Sequence, residues 1–303
     1  MTDNNVTLAQ VVLHRGEVVS EFYGPDVTAQ TTLISWSMAK SLTHALVGIA
    51  QLDGLLDVGK SNLFPEWAND ERRNITLQQL LEMRSGLSWV EDYVDGDSSD
   101  VIDMLFGSGK DDNARYAIAQ PLVTPPGAEW VYSSGTTNIV TRLLGNALGD
   151  AHGSCTNTER YMRTRLLDAI GMQAQPKFDA AGTFVGSSYV FATARDFAKF
   201  GLLYLRDGVC DGVRILPEGW VDHARKQHAF DAETGLGYGA HWWTLPGERN
   251  SLVAAGYEGQ YIMVIPERDL VVVRLGKTVA ELRNAVVAEL RKVIEQFPVI
   301  GER

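Results

Sequence analysis

Short runs of apolar residues with strand character stand at both ends of the chain, and helical spacing fills the space between them. Residues 7–13 and 17–23 are rich in Val and aromatics and are joined by His14-Arg15-Gly16, which predicts a β-hairpin. A long helical pattern follows over residues 36–52, with Ser35 as its N-cap and Gly54 as its stop. Met38, Ala39, Leu42, Ala45, Leu46, Val47, Gly48, Ile49 and Ala50 leave that helix almost no polar face, so it is expected to be buried on most sides.

Between residues 61 and 186 the pattern changes. Short helical stretches at 77–83, 137–145 and 159–170 are separated by loops rich in Asp, Gly and Ser, and no clear strand run appears. From Ser188 the pattern is mixed again. A helix is predicted over 193–206 with Gly208 as its stop, then strands at 238–244, 251–255, 260–265 and 270–275. A terminal helix over 278–297 shows apolar spacing at Leu282, Val286, Val287 and Leu290. Strands from both chain ends can share one sheet. The expected fold is therefore α/β (α+β): an antiparallel sheet flanked by helices, with an inserted, mostly helical domain. The corresponding division is 1–60 with 187–303 for the α/β domain and 61–186 for the helical one.

Composition narrows the function classes. The 303 residues are 45% hydrophobic and 21% charged, which excludes a disordered or collagen-like chain. The formal net charge of −11 argues against non-specific nucleic-acid binding, which needs clustered Lys and Arg. Cys155 and Cys210 allow at most one disulfide, and no Cys/His run has zinc spacing. Residues 1–10 lack a basic segment followed by an apolar one, and no apolar stretch approaches the roughly 20 residues of a membrane span. The expectation is a cytoplasmic protein with no membrane or nucleic-acid partner. A chain trimmed of its leader would read the same.

Three segments carry candidate chemistry. In Ser37-Met38-Ala39-Lys40 the serine and lysine share one helix face, and the serine falls in the first turn, where the helix dipole favours negative charge. Lysine on so apolar a helix is unusual. Burial favours the neutral amine, which could take the serine proton at pH 7 if its pKa fell by about 3 to 4 units. By itself, Ser-x-x-Lys also arises by chance. Tyr132-Ser133-Ser134 follows the Pro125-Pro126-Gly127 turn and precedes a helical run. Such residues usually cap and pack, yet a phenol beside Lys40 would have its pKa lowered by the cation and could shuttle protons. Residues 254–260, Ala-Ala-Gly-Tyr-Glu-Gly-Gln, bridge two predicted strands. They read either as an ordinary glycine-rich hairpin or as a strand edge offering an oxyanion N–H, worth about 3 to 4 kcal/mol.

In this order the three segments resemble the serine β-lactamase and penicillin-recognising superfamily, in its class C-like branch. Within that branch the wording is similar to the 6-aminohexanoate-dimer hydrolases and related esterases. "LTHALVGIAQLDGL" from Leu42, "TLQQLLEMRSGL" from Thr76, "ATARDFAKFGLLYLRDG" from Ala192 and "GYEGQYIMVIP" from Gly256 extend the likeness over nearly the whole chain. The resemblance implies Ser37 as the acylated nucleophile, Lys40 as the base or its tuner, and Tyr132 as the proton shuttle. It places Ser134 at the family's polar third position and puts the oxyanion on the backbone N–H groups of Ser37 and Tyr257. It implies hydrolysis of a small-molecule amide or ester with no metal or organic cofactor. Relatives often carry Lys or His where this chain has Ala254, which favours esters and linear amides over β-lactams. They also carry a longer segment ahead of the nucleophile. A β-lactamase, a D-amino-acid peptidase, or a penicillin-binding sensor acylated once without turnover is the alternative.

Other motifs carry less. No Gly-x-Ser-x-Gly elbow and no His-Glu-x-x-His pattern occurs. Gly107-Ser108-Gly109-Lys110 fails as a phosphate loop, with Met104 in place of the first glycine and Asp111 in place of Ser/Thr. His44 reads as a satisfied helix histidine. Of Trp242 and Trp243, at most one faces a cleft. Asp92, Asp95 and Asp97 read as a solvated loop rather than a cation site. Ser134, Gly256, Tyr93, Trp130, Tyr189 and Trp243 are the candidate substrate-binding residues.

Overall fold

The computed structural model describes residues 5–93 and 99–301; Asp95 and Asp97 lie outside the described residues. Strands β1 (Asn5–His14) and β2 (Glu17–Tyr23) form the expected hairpin. Arg15 and Gly16 close it with φ of 57° and 83°, the left-handed pair that a two-residue turn between right-twisted strands requires. After β3 (Leu33–Ile34), a 3-10 turn (Trp36–Met38) runs into α1 (Ala39–Leu52). Ser35 makes no side-chain cap. Its hydroxyl faces the carbonyls of Trp36 and Ser188 and takes the Val190 N–H at 3.1 Å, so it fastens the helix start to a neighbouring strand instead.

Residues 61–186 carry α2 (Leu77–Leu81), α3 (Asp100–Phe106), α4 (Asn113–Ile118), α5 (Ser134–Ala147) and α6 (Thr156–Met162). They also carry β4 (Ala174–Pro176), which pairs with β5 (Val190–Ala192), itself paired to β3. This small sheet departs from the strandless reading of the region, because strands of two or three residues are too short to show alternation. Next come α7 (Ala194–Leu205), the short hairpin β6 (Val209–Cys210) and β7 (Val213–Arg214), and α8 (Trp220–Arg225).

The C-terminal part supplies β8 (Ala229–Asp231), β9 (Leu236–Tyr238), β10 (Trp243–Thr244), β11 (Leu252–Gly256), β12 (Gln260–Ile265), β13 (Leu270–Thr278) and α9 (Arg283–Ile294). The expected strand over 238–244 is broken. Residues 239–242 fold into a tight turn in which the Gly239 N–H bonds the Trp242 carbonyl and His241 takes a φ of 54°.

One eight-stranded antiparallel sheet unites the chain ends in the order β2-β1-β13-β12-β11-β10-β9-β8. Side chains of its central strands alternate between two buried faces. Val11, Leu13, Ile262, Val264, Val271 and Val273 join the core built with α1 and α7. Val12, Met263, Ile265, Leu270 and Val272 meet Val286, Val287, Leu290 and Ile294 of α9 on the opposite face. Since both faces are covered, the central strands read as continuous apolar runs. Among the described residues no helix is long and apolar enough to cross a membrane.

Candidate active site

The 3-10 turn that opens α1 packs against the end of β11, and α1 packs against α5, so the three candidate segments meet. Lys40 lies one helical turn beyond Ser37 and is only 2% exposed. Its Nζ stands 2.9 Å from Ser37 Oγ, 3.0 Å from Ser134 Oγ and 3.2 Å from the Ser187 carbonyl oxygen. Burial pulls the Lys40 pKa down and the Glu91 carboxylate pushes back, leaving it at about 8. That falls short of the shift the sequence argument asks for, so near pH 7 the neutral amine is the minority form.

Tyr132 covers the pair. The Lys40 ammonium sits 4.7 Å from the centre of its ring, and the Ser37 side chain is close enough to act on its phenol. The expectation that a neighbouring cation lowers the Tyr132 pKa is corrected. Burial first, and Glu91 second, drive it upward, and the Ser37 side chain offsets only part of this. Tyr132 is therefore a proton donor rather than a resting base.

Backbone contact brings Gly256, the residue before Tyr257, against the nucleophile turn. A Cβ added to Gly256 would lie 2.4 Å from the Ser35 carbonyl oxygen and 3.2 Å from the Ser37 nitrogen, so only glycine lets β11 approach the nucleophile turn. Ser37 stands in the first turn of its helix, where N–H groups have no intrahelical partner. Tyr257 begins the 3-10 turn Tyr257–Gly259. Gln260 Nε2 donates to the Tyr257 carbonyl at 3.0 Å, and buried Arg274 donates to the Gly259 carbonyl at 2.7 Å. The neighbours Trp36 and Glu258 are both left-handed, with φ of 43° and 59°, a conformation that costs about 1–3 kcal/mol per non-glycine residue. They hold each other across the site through Trp36 Nε1 and Glu258 Oε2 at 3.0 Å.

Behind Lys40, the Glu91 carboxylate accepts from Ser134 Oγ at 2.5 Å and from the Ser134 N–H at 2.8 Å. It also accepts from Trp89 Nε1 at 2.5 Å and from the Tyr93 hydroxyl at 2.6 Å. In front of Ser37 opens a cavity of about 840 Å³. Its wall includes Trp130, Tyr132, Trp243, Gly256, Tyr257 and Tyr93. Among the described residues its charged groups are Glu91, Asp92, Asp231, Glu233 and Glu281 against the cation Arg283. Among the described residues no three His, Cys, Asp or Glu side chains stand together as a metal cluster.

A sequence model of the Beta-lactamase family matches residues 3–293. The chain belongs to that family. A 6-aminohexanoate-dimer hydrolase from Paenarthrobacter ureafaciens is 26% identical over 291 residues, covering 90% of this chain and 73% of the relative. Among solved structures, a protein from Bacillus anthracis provisionally named as a 6-aminohexanoate-dimer hydrolase superposes with a TM-score of 0.80 at 22% identity, covering 98% of this chain and 81% of that one. A class C β-lactamase from Rhodobacter sphaeroides superposes at 0.69 with 15% identity, covering 96% of this chain and 95% of that one. The fold is thus β-lactamase/transpeptidase-like, and the relatives' names point to a hydrolase.

Most side chains singled out in this Beta-lactamase-family sequence converge on one cavity. Tyr189 and Ser134 do not line it: the Tyr189 ring packs against Trp36, centroids 6.0 Å apart, and Ser134 is fully buried against Lys40. Trp243 lines the cavity while Trp242, in the turn before β10, is stacked on Phe200 in the core. His44 is satisfied by Tyr204 at 2.8 Å and His223 at 3.0 Å. The sequence pattern misses Glu91 and Glu258. Trp89, Glu91 and Tyr93 sit at alternate positions of an extended segment, a signal hidden by the acidic loop that follows.

Proposed function

We propose that the chain is a serine hydrolase that opens ester and linear amide bonds through an acyl-enzyme on Ser37. The observation that carries this reading is the 2.9 Å contact between buried Lys40 Nζ and Ser37 Oγ, with the Tyr132 ring centre 4.7 Å from the same amine. As Ser37 Oγ bonds to the carbonyl carbon, its proton passes to Lys40 and the carbonyl electron pair moves onto oxygen. That oxyanion rests on the N–H groups of Ser37 and Tyr257. When the tetrahedral centre collapses, the leaving group departs with the Tyr132 proton, and Lys40 resupplies the phenol. Water then cleaves the acyl-enzyme along the reverse proton path.

The acidic rim of the cavity favours substrates that carry an amine or no charge at the leaving side. Ala254, buried in the core, supplies no cation for the carboxylate of a β-lactam. The Paenarthrobacter relative's name supports a linear amide of an ω-amino acid. The test is one preparation assayed on p-nitrophenyl esters, 6-aminohexanoate dimer and nitrocefin. Sustained turnover of an ester or the dimer, with nitrocefin slow, is expected. A single stoichiometric acylation with no steady state would overturn the reading in favour of a sensor.

The base works deprotonated, and burial against Glu91 leaves its pKa at about 8, so kcat/KM is expected to climb with pH and level off above that value. A profile flat through that region would remove Lys40 from the role. In Tyr132→Phe, amides should lose about tenfold more rate than activated esters, because an amine leaves poorly without a proton. Equal losses on the two substrate classes would refute the shuttle.

A further inference from the structure

We propose that Glu91 is a positioning residue for the base: its carboxylate fixes the Ser134 hydroxyl proton, and so turns the Lys40 lone pair toward Ser37. The inference rests on Lys40 acting as the base. Its premise is the set of hydrogen bonds around one amine. An ionised carboxylate accepts only, and its four lone-pair sites here meet four donors: Ser134 Oγ, the Ser134 N–H, Trp89 Nε1 and the Tyr93 hydroxyl. Ser134 has one hydroxyl proton and spends it on Glu91, so toward Lys40 it can only accept. The Ser187 carbonyl also only accepts. A neutral amine has two hydrogens and one lone pair. Its hydrogens go to Ser134 Oγ at 3.0 Å and Ser187 O at 3.2 Å, and the lone pair is left facing Ser37 Oγ at 2.9 Å.

Glu91 also acts by its charge, one hydroxyl away from the amine, where it favours the ammonium. Other titratable groups packed round this centre are Tyr93 on the same segment, Tyr132 before α5, and Tyr238 and His241 at the β9–β10 turn, with Arg283 of α9 acting on Tyr132. Desolvation is the main cause of the upward shift of all three phenols and holds the His241 imidazole down at about 3. Neither kind of group changes charge through the region where Lys40 titrates. The two effects of Glu91 therefore oppose each other in a measurable way: it raises the pH at which the base becomes free, and it raises the rate once the base is free.

The test is the pH dependence of Ser37 phosphonylation by a fluorophosphonate, located by mass spectrometry, which needs no knowledge of the substrate. Glu91→Gln turns one acceptor into an NH₂ that faces donors. Its acid limb should fall by about one pH unit or more, as loss of a nearby opposite charge dictates. Its high-pH plateau should drop about tenfold, below the usual range of direct proton-transfer effects because Glu91 acts through another group. Ser134→Ala deletes one hydroxyl. It should lower the plateau without moving the limb downward, and the double variant should lose no more plateau than the worse single change. A wild-type profile with no limb near pH 8 sinks the base and this role together. A wild-type limb with an unchanged plateau in Ser134→Ala, an unmoved limb in Glu91→Gln, or fully additive losses sinks this role alone.

Discussion

Ser37→Ala is expected to leave less than about one part in 10⁴ of the wild-type kcat on p-nitrophenyl butyrate, and no acyl or phosphonyl adduct by mass spectrometry. The size follows from what the remaining groups can do. With Oγ gone, the Ser37 and Tyr257 N–H groups still polarise a carbonyl, but the buried amine of Lys40 has no proton to take. Water would have to enter a space whose polar contacts to Lys40 are already filled by Ser134 and Ser187. The substitution removes a single heavy atom from a half-buried residue, so the fold has little reason to respond. Variant activity within tenfold of wild type, with the protein folded, would show that the nucleophile lies elsewhere and that Lys40, Tyr132 and Glu91 surround it for another reason.

Much of this arrangement is legible in the residue order, because local rules and tertiary packing agree there. The β1–β2 hairpin follows from two runs rich in Val and aromatics joined by a short Gly turn, and the burial of α1 follows from its almost wholly apolar surface. Lys40 on that helix has to find acceptors or neutralise, and it does both in part. What is not legible depends on contacts between segments far apart in sequence. Ser35 reads as a cap, but β5 supplies the Val190 N–H that claims its hydroxyl. Residues 238–244 read as one strand because alternation does not reveal the left-handed backbone at His241 on which the turn is built. β8 carries only three residues and gives no periodic signal. The sign of the Tyr132 pKa shift is hidden from the sequence because desolvation, which depends on the whole cavity, outweighs the lowering by Ser37 and Arg283. Glu91 escapes notice because a carboxylate beside an acidic loop reads as solvated, and only the fold shows four donors turned toward it.

Gly256→Ala should cost about 10²–10³ in kcat/KM, the loss seen when one oxyanion donor is withdrawn. The cause is steric. The new methyl would meet the Ser35 carbonyl oxygen at 2.4 Å and the Ser37 nitrogen at 3.2 Å, and both are backbone atoms with no rotamer to escape through. Either β11 retreats from the nucleophile turn or the turn itself moves, and in both cases the N–H groups of Ser37 and Tyr257 no longer converge on one point. Overpacking of this kind also destabilises by about 1–3 kcal/mol, so rates belong well below the melting temperature, and the melt is measured alongside. Binding should divide the effect further. A boronic acid, whose tetrahedral adduct places an oxygen at the oxyanion position, should weaken by the same factor as kcat/KM, whereas a ground-state substrate analogue should weaken far less. If both ligands weaken equally, the methyl has merely closed the cavity mouth. Should the variant keep its rate, the second donor does not come from Tyr257, and the clasp between Trp36 and Glu258 needs a different explanation for the two left-handed residues it joins.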